Sequence, residues 1–205
     1  MTTKAFCITL LASAMLANAD STDPFGPLAT ARQPVVTVPV GPVALSGGQP
    51  TIDKRLDIER GEYSPSACLH DLLGVMGEDP GVAGRYATRV WLVYTPRALY
   101  VAFRTEMPEG VRPVITITNG HDVAFADDAF ELFLSNDDNK RVFHIGGSAG
   151  GIGWDRTLPA GGAGPNFQNW NPKIPYAAYV DRKFWSGEFE IPWSELGVEP
   201  AKDRT

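Results

Sequence analysis

Thr88-Arg89-Val90-Trp91-Leu92-Val93-Tyr94-Thr95-Pro96-Arg97-Ala98-Leu99-Tyr100-Val101-Ala102-Phe103-Arg104 is two β-type runs folded about one turn. β-Branched and aromatic side chains fill both runs, and the turn carries Pro96, whose fixed φ suits a reversal. In the second run Leu99, Val101 and Phe103 share one face while Tyr100, Ala102 and Arg104 share the other, which is the period of a half-buried strand. The stretch therefore predicts an antiparallel hairpin over Thr88–Thr95 and Leu99–Arg104.

Similar runs lie on both sides of it. Val114–Thr118 is β-rich and is closed by the turn signal Asn119-Gly120, and Asp128–Ser135 and Arg141–Ile145 flank an Asn/Asp turn as a second hairpin. Tyr176–Val180 and Phe184–Ile191 complete the downstream set, and Trp193–Gly197 reads as one helical turn ended by glycine. Upstream, Val35–Val40 reads as an edge strand or entry segment, because Pro39 cannot donate to a ladder. Roughly eight short strands separated by turns predict an all-β chain, a β-sandwich of jelly-roll or immunoglobulin-like form. One short helix is expected around Ser66–Leu73, capped by Ser64 or Ser66, and a long Gly-rich loop over Gly146–Pro175.

With 205 residues, 43% of them hydrophobic and 20% charged, the chain suits one domain with a sizeable core. Its formal net charge of −6, with no Lys/Arg run, excludes a nucleic-acid footprint and suits a neutral partner such as a sugar. Met1–Ala19 has a lysine near its start, an apolar stretch over Ala5–Leu16 and a small-x-small end at Ala17-Asn18-Ala19. That pattern is a signal peptide cut after Ala19, which implies a secreted or periplasmic chain. Residues 20–34 read as a linker and 35–205 as the sandwich, with no later stretch able to span a bilayer. Cleavage removes Cys7 and leaves Cys68 as the sole thiol, read as a small buried hydrophobe. A monomer is expected.

Two strands and one loop carry the functional signals. In Phe125-Ala126-Asp127-Asp128-Ala129-Phe130-Glu131-Leu132-Phe133-Leu134, Glu131 shares a face with Ala129 and Phe133. A carboxylate on an apolar face needs a partner or a ligand, and Arg89 or Arg104 is the expected partner if the role is structural. In Trp185-Ser186-Gly187-Glu188-Phe189-Glu190-Ile191-Pro192-Trp193, apolar and polar residues alternate cleanly until Pro192. Trp154, Phe167 and Trp170 lie in the Gly-rich stretch among Asn166, Gln168, Asn169 and Asn171. Aromatic faces beside amides suit pyranose rings, whose C–H faces pack on aromatics while hydroxyls take hydrogen bonds. The plain alternative is that these rings fold the loop onto the core.

The hairpin ending Leu99-Tyr100-Val101-Ala102-Phe103, the Asp127-Asp128-x-x-Glu131 strand and the Trp185-x-x-Glu188-x-x-Ile191-Pro192-Trp193 strand together resemble family 9 carbohydrate-binding modules, in spacing and in order, from about Thr51 onward. The resemblance implies a non-catalytic sandwich that grips sugar units between aromatic platforms during polysaccharide breakdown. It assigns Phe125 as one platform, Glu131 as the hydroxyl-reading group, and Trp170 or Trp154, with Asn169 between them in sequence, as the second side of the site. Phe125 stands where a stronger tryptophan platform is usual, and the strand that closes the family fold has no counterpart after Asp203-Arg204-Thr205. No cofactor is expected. Relatives often hold structural calcium, for which Asp127-Asp128 or Asn136-Asp137-Asp138-Asn139 offers oxygens, although an Asn/Asp hairpin turn accounts for the latter.

Three other classes draw on some of the same residues. A glycosidase needs two carboxylates across a cleft, and Glu131 with Glu188 or Asp128 is the available choice. A protein-binding adhesion or scaffold sandwich would use the same surface. A haem-binding sandwich would need His144 with Met76 or Met107. His70, His121 and His144 lack zinc spacing, and no Gly-Lys-Ser/Thr follows the glycine pairs.

Overall fold

The computed structural model describes residues 7–13, 50–54, 62–63, 68–69, 86–118, 127–135, 141–159 and 170–197. Nine strands are described: β1 (Cys7–Ser13), β2 (Cys68–Leu69), β3 (Thr88–Tyr94), β4 (Ala98–Glu106), β5 (Ala129–Ser135), β6 (Arg141–Ser148), β7 (Gly153–Pro159), β8 (Tyr176–Val180) and β9 (Phe184–Pro192). They form two antiparallel sheets, one in the order β1-β5-β6-β7 and one in the order β2-β3-β4-β9-β8. The chain is an all-β sandwich.

Alternation along the strands decides which faces meet. Val90 and Leu92 of β3, Leu99, Val101 and Phe103 of β4, and Phe189 and Ile191 of β9 turn inward against Phe130, Leu132 and Leu134 of β5 and Phe143 and Ile145 of β6. All of these are buried. Phe103 stacks on Phe130 across the gap, with centroids 4.2 Å apart and planes within 6°. Burying side chains of this size stabilises by roughly 1.5–3 kcal/mol each, and the two sheets share that gain.

The hairpin read from the sequence is present. Thr95 N–H donates to the Ala98 carbonyl at 2.9 Å, and the Thr95 hydroxyl accepts from the N–H groups of Arg97 and Ala98 at 3.2 Å each. β8 and β9 also lie where the alternation placed them. After Pro192 comes a 3-10 turn over Trp193–Leu196, ended by Gly197 at φ 65°. Among the described residues no helix is long and apolar enough to cross a membrane.

Three expectations are corrected. Cys68–Leu69, inside the expected helix, is a short strand paired with Trp91 and Val90. There Cys68 packs against the outer apolar cluster of Tyr63, Trp91 and Tyr100, a tertiary contact that overrides local helix signals. Val114–Thr118 is extended but joins neither sheet, because the carboxylates of Asp127 and Asp128 capture its backbone N–H groups.

Third, the expected Gly-rich loop begins instead as the end of β6 and continues into β7. Gly146 and Gly147 are strand residues because two rings occupy the space their side chains would take. A Cβ on Gly146 would lie 2.1 Å from the Trp154 ring on one face, and one on Gly147 would lie 2.3 Å from the Tyr176 ring on the other. Tyr176 runs between the sheets, stacks on Phe189 and donates its hydroxyl to the Ser148 carbonyl at 2.9 Å. Val35–Val40 lies outside the described residues, while β1 falls within the apolar stretch read as a signal peptide.

Gly147→Ala should therefore destabilise the fold by about 1–3 kcal/mol through overpacking against Tyr176. Gly153→Ala, whose Cβ would meet Tyr176 only at an ordinary 3.7 Å, should cost much less. Urea midpoints of the two variants check the difference, and equal midpoints would refute the close-approach reading.

Candidate functional site on the outer face of the four-stranded sheet

Strand register places Glu131, Gly146 and Trp154 in one cross-strand row, and Phe133, His144 and Arg156 in the next. These residues alternate with the inward Phe130, Leu132, Phe143 and Ile145, so both rows lie on the outer face. Glu131 thus shares its face with Ala129 and Phe133, as read from the sequence. Its expected partners are not used: Arg104 pairs with Glu106 at 2.8 Å, and Arg89 approaches Glu106 at 3.9 Å, both on the other sheet.

The partner is His144. Its Nε2 lies 3.0 Å from Glu131 Oε2, and its Nδ1 accepts from Arg156 Nε at 2.7 Å. Because Nδ1 is an acceptor, the proton of the neutral ring sits on Nε2 and is donated to Glu131. A guanidinium, a neutral imidazole and a carboxylate thus form one hydrogen-bonded chain across three strands, with opposite charges at its ends. Burial holds the His144 pKa below its ordinary value and Arg156 adds to that effect, while the bond to Glu131 opposes it. With both ring nitrogens engaged, His144 is placed as a positioning group for Glu131 rather than as a base.

Apolar rings frame this chain. Phe133 stacks on His144 with centroids 4.2 Å apart. Trp154 lies over Gly146 and packs with Ile152, Ile117 and Ala129. Only 2% of Trp154 is exposed, so its ring face is not an open platform. The Glu131 side chain keeps 11% exposure, and Arg156 is half-buried. What this surface offers a ligand is a fixed carboxylate and a guanidinium at the edge of an apolar patch.

Of the residues singled out from the sequence, Glu131 and Trp154 are brought together, two strands apart in one row. Trp170 is not with them. Its ring packs on Phe143 at 4.9 Å, against the inter-sheet core, and its Nε1 donates to the Glu195 carbonyl at 3.0 Å, which fixes it on the opposite side of the sheet from Glu131. Phe125 and Asn169 lie outside the described residues. His144, Arg156 and Phe133 were missed as site residues. Register counted outward from the Asn/Asp turn, which sets Phe133 opposite His144, was the signal that could have found the first partner.

The carboxylates considered for other chemistry are committed elsewhere. Asp127 accepts from the N–H groups of Thr116 and Ile117 and from the Thr116 hydroxyl, and Asp128 accepts from Val114 N–H at 2.8 Å. Burial alone would raise the Asp127 pKa, but these bonds outweigh it and hold the group below its ordinary value. Among the described residues no three His, Cys, Asp or Glu side chains are grouped to hold a metal.

Glu188 is buried on the outer face of the other sheet, where it accepts from Tyr63 hydroxyl at 3.2 Å and Lys54 N–H at 3.1 Å. Burial, with Glu62 nearby, pushes its pKa up to about 8. Glu131 and Glu188 point away from each other across both sheets, so that pair does not flank one bond as a glycosidase requires. Met107 belongs to the inter-sheet core, so it does not converge with His144 on a haem.

No family model matches this chain, and no curated protein sequence matches it. Among solved structures, the chain is similar to a candidate carbohydrate-binding protein from Bacteroides uniformis, at 15% identity and a TM-score of 0.42, over 56% of each chain. The likeness spans just over half of that protein's length and carries no functional inference.

His144 gives the site a pH signature. The unfolded chain takes up its proton near pH 6.5, whereas the folded chain does so only at lower pH. Stability contributed by the neutral ring is therefore present above about pH 6.5 and is lost as pH falls through that value. Guanidinium titrations between about pH 7 and 5 should show this decline, and His144→Gln should flatten it. An unchanged slope in the variant would refute the neutral-histidine assignment.

Proposed function

We propose that this chain is an exported, non-catalytic sugar-binding sandwich of the kind that accompanies polysaccharide breakdown, similar to family 9 carbohydrate-binding modules and acting as a monomer. The observation that carries the reading is Glu131. It is an ionisable side chain on an apolar outer face, oriented by His144 and Arg156, with part of its surface open to solvent. Such a group reads hydroxyls: it accepts their hydrogen bonds at fixed geometry, with no rotamer freedom left to lose on binding.

The ligand suited to this arrangement is a neutral sugar unit. The charges of Glu131 and Arg156 already balance, so an ionic ligand gains little there. Trp154 and Phe133 supply an apolar floor rather than open stacking faces. Phe125 remains the proposed platform.

Binding to neutral glycans by array and calorimetry tests the proposal. Wild type should bind at least one neutral plant, algal or microbial glycan, and Glu131→Gln should weaken that binding about tenfold or more while near-ultraviolet circular dichroism stays unchanged. Absence of any neutral glycan ligand, or equal affinity of Glu131→Gln, would count against it.

Export has its own test, because the proposed signal peptide contains β1. Seven residues of β1 pair with β5, and Leu11 lies opposite Glu131. Intact-mass analysis of the secreted or periplasmic protein should give a chain starting at Asp20. Hydrogen exchange at Ala129–Ser135 should then be faster than in the uncleaved chain, since one edge of the ladder has lost its partner. An exported chain that retains Met1–Ala19 would overturn the leader assignment.

A further inference from the structure

The outer face of the five-stranded sheet is divided in two. Its upper half is covered: Tyr63 and Ile52 pack with Trp91, Val93, Tyr100 and Ala102, and Glu188 is buried among them. The lower half exposes Tyr179 and Arg89 at its two ends and part of Arg104 between them, while Ser186 beneath them is buried. Register sets Tyr179 of β8 opposite Ser186 of β9, Ser186 opposite Arg104 of β4, and Arg104 opposite Arg89 of β3. One side chain from each of four strands therefore stands in a single line across the sheet, at steps of about 4.8 Å.

The chemistry along that line is polarised. Tyr179 is 44% exposed at one end, and Arg89 has a side chain 55% exposed at the other. Between them Phe184 lies beside Tyr179, with ring centroids 6.0 Å apart, and the Arg104 guanidinium sits 3.9 Å over the Phe184 ring. That cation–π contact and the 2.8 Å pair with Glu106 fix the Arg104 fork, whose side chain remains 37% exposed. Arg89 reaches Glu106 only at 3.9 Å, beyond hydrogen-bonding range. Two guanidinium groups thus face one carboxylate, which leaves a local excess of one positive charge on a chain whose net charge is −6.

We infer that Tyr179, Arg104 and Arg89 form a second binding surface, on the opposite side of the sandwich from Glu131, and that it takes a uronate-bearing sugar polymer. The exposed tyrosine ring packs against a sugar C–H face. The arginines take carboxylates of the uronate units, with the planar two-point geometry that a guanidinium offers and an ammonium does not. A line running across the strands at the width of a sugar ring suits a chain of such units lying flat on the sheet. The inference does not rest on the Glu131 reading, since the two surfaces share no residue.

Affinity electrophoresis of the full chain through gels containing polygalacturonate tests it, with a neutral galactan, a sulfated galactan and single-stranded DNA as parallel arms. Wild type should be retarded most by polygalacturonate, and less as salt rises, because the charges are exposed. Arg89→Gln and Tyr179→Ala, both surface changes, should each weaken retardation fivefold or more, while Glu131→Gln leaves it intact. Absence of retardation by polygalacturonate, stronger retardation by sulfated galactan or DNA, or full retardation of Arg89→Gln and Tyr179→Ala would each overturn the inference. Loss of polygalacturonate binding with neutral glycan binding retained would discard this surface without touching the Glu131 proposal.

Discussion

The stacked contact of Phe103 on Phe130 is where the two sheets become one protein. Phe103 lies within β4 and Phe130 near the start of β5, each on the inward face of a central strand, and around the pair lie Phe189, Trp185 and the aliphatic side chains of β3, β5 and β6. Because strand side chains alternate, committing Phe103 and Phe130 inward commits Arg104, Ala102, Glu131 and Ala129 outward. The placement of the polar side chains on the outer strand faces follows from that one decision. A one-residue slip of β5 would bury Glu131 in the apolar core and leave His144 without its partner.

That coupling explains what could be read from the chain alone. The hairpin through Pro96 was legible because its two runs repeat every second residue around a turn built by Thr95. The face that Glu131 shares with Ala129 and Phe133 was legible for the same reason, as was its need for a partner. The partner's identity was not, since His144 meets Glu131 only through the pairing of β5 with β6, while charge alone points to an arginine. The Gly146-Gly147 pair was misread because glycine marks both turns and close approaches, and only the rings of Trp154 and Tyr176, distant in sequence, decide between them. Val114–Thr118 failed as a sheet strand for a different reason. Its propensity is strong, but two neighbouring aspartates supply the acceptors a strand would otherwise find in a ladder.

The tryptophans show how composition misleads about sites. Aromatic residues in a polar, Gly-rich stretch look surplus to burial, yet Trp154 fills the hollow over Gly146 and Trp170 closes the core beside Phe143. Both are consumed by packing. Among the described residues, the aromatic side chain left open is Tyr179, on edge strand β8, where a strand of five residues gave little pattern to weigh.

Glu131 also ties the site to the edge of its sheet. β5 is bordered by β6 on one side, which supplies His144, and by β1 on the other, with which it pairs along the backbone. The orientation of the carboxylate depends on β6 and β7, through His144 and Arg156. If β1 departs with a leader, the hydrogen-bonded chain that aims Glu131 keeps all of its members, while the backbone beside it gains an unpaired edge. An edge of that kind, next to an oriented carboxylate, presents alternating N–H and C=O groups to whatever approaches. Maturation would then keep the Glu131–His144–Arg156 chain and widen the set of hydrogen-bonding groups around it.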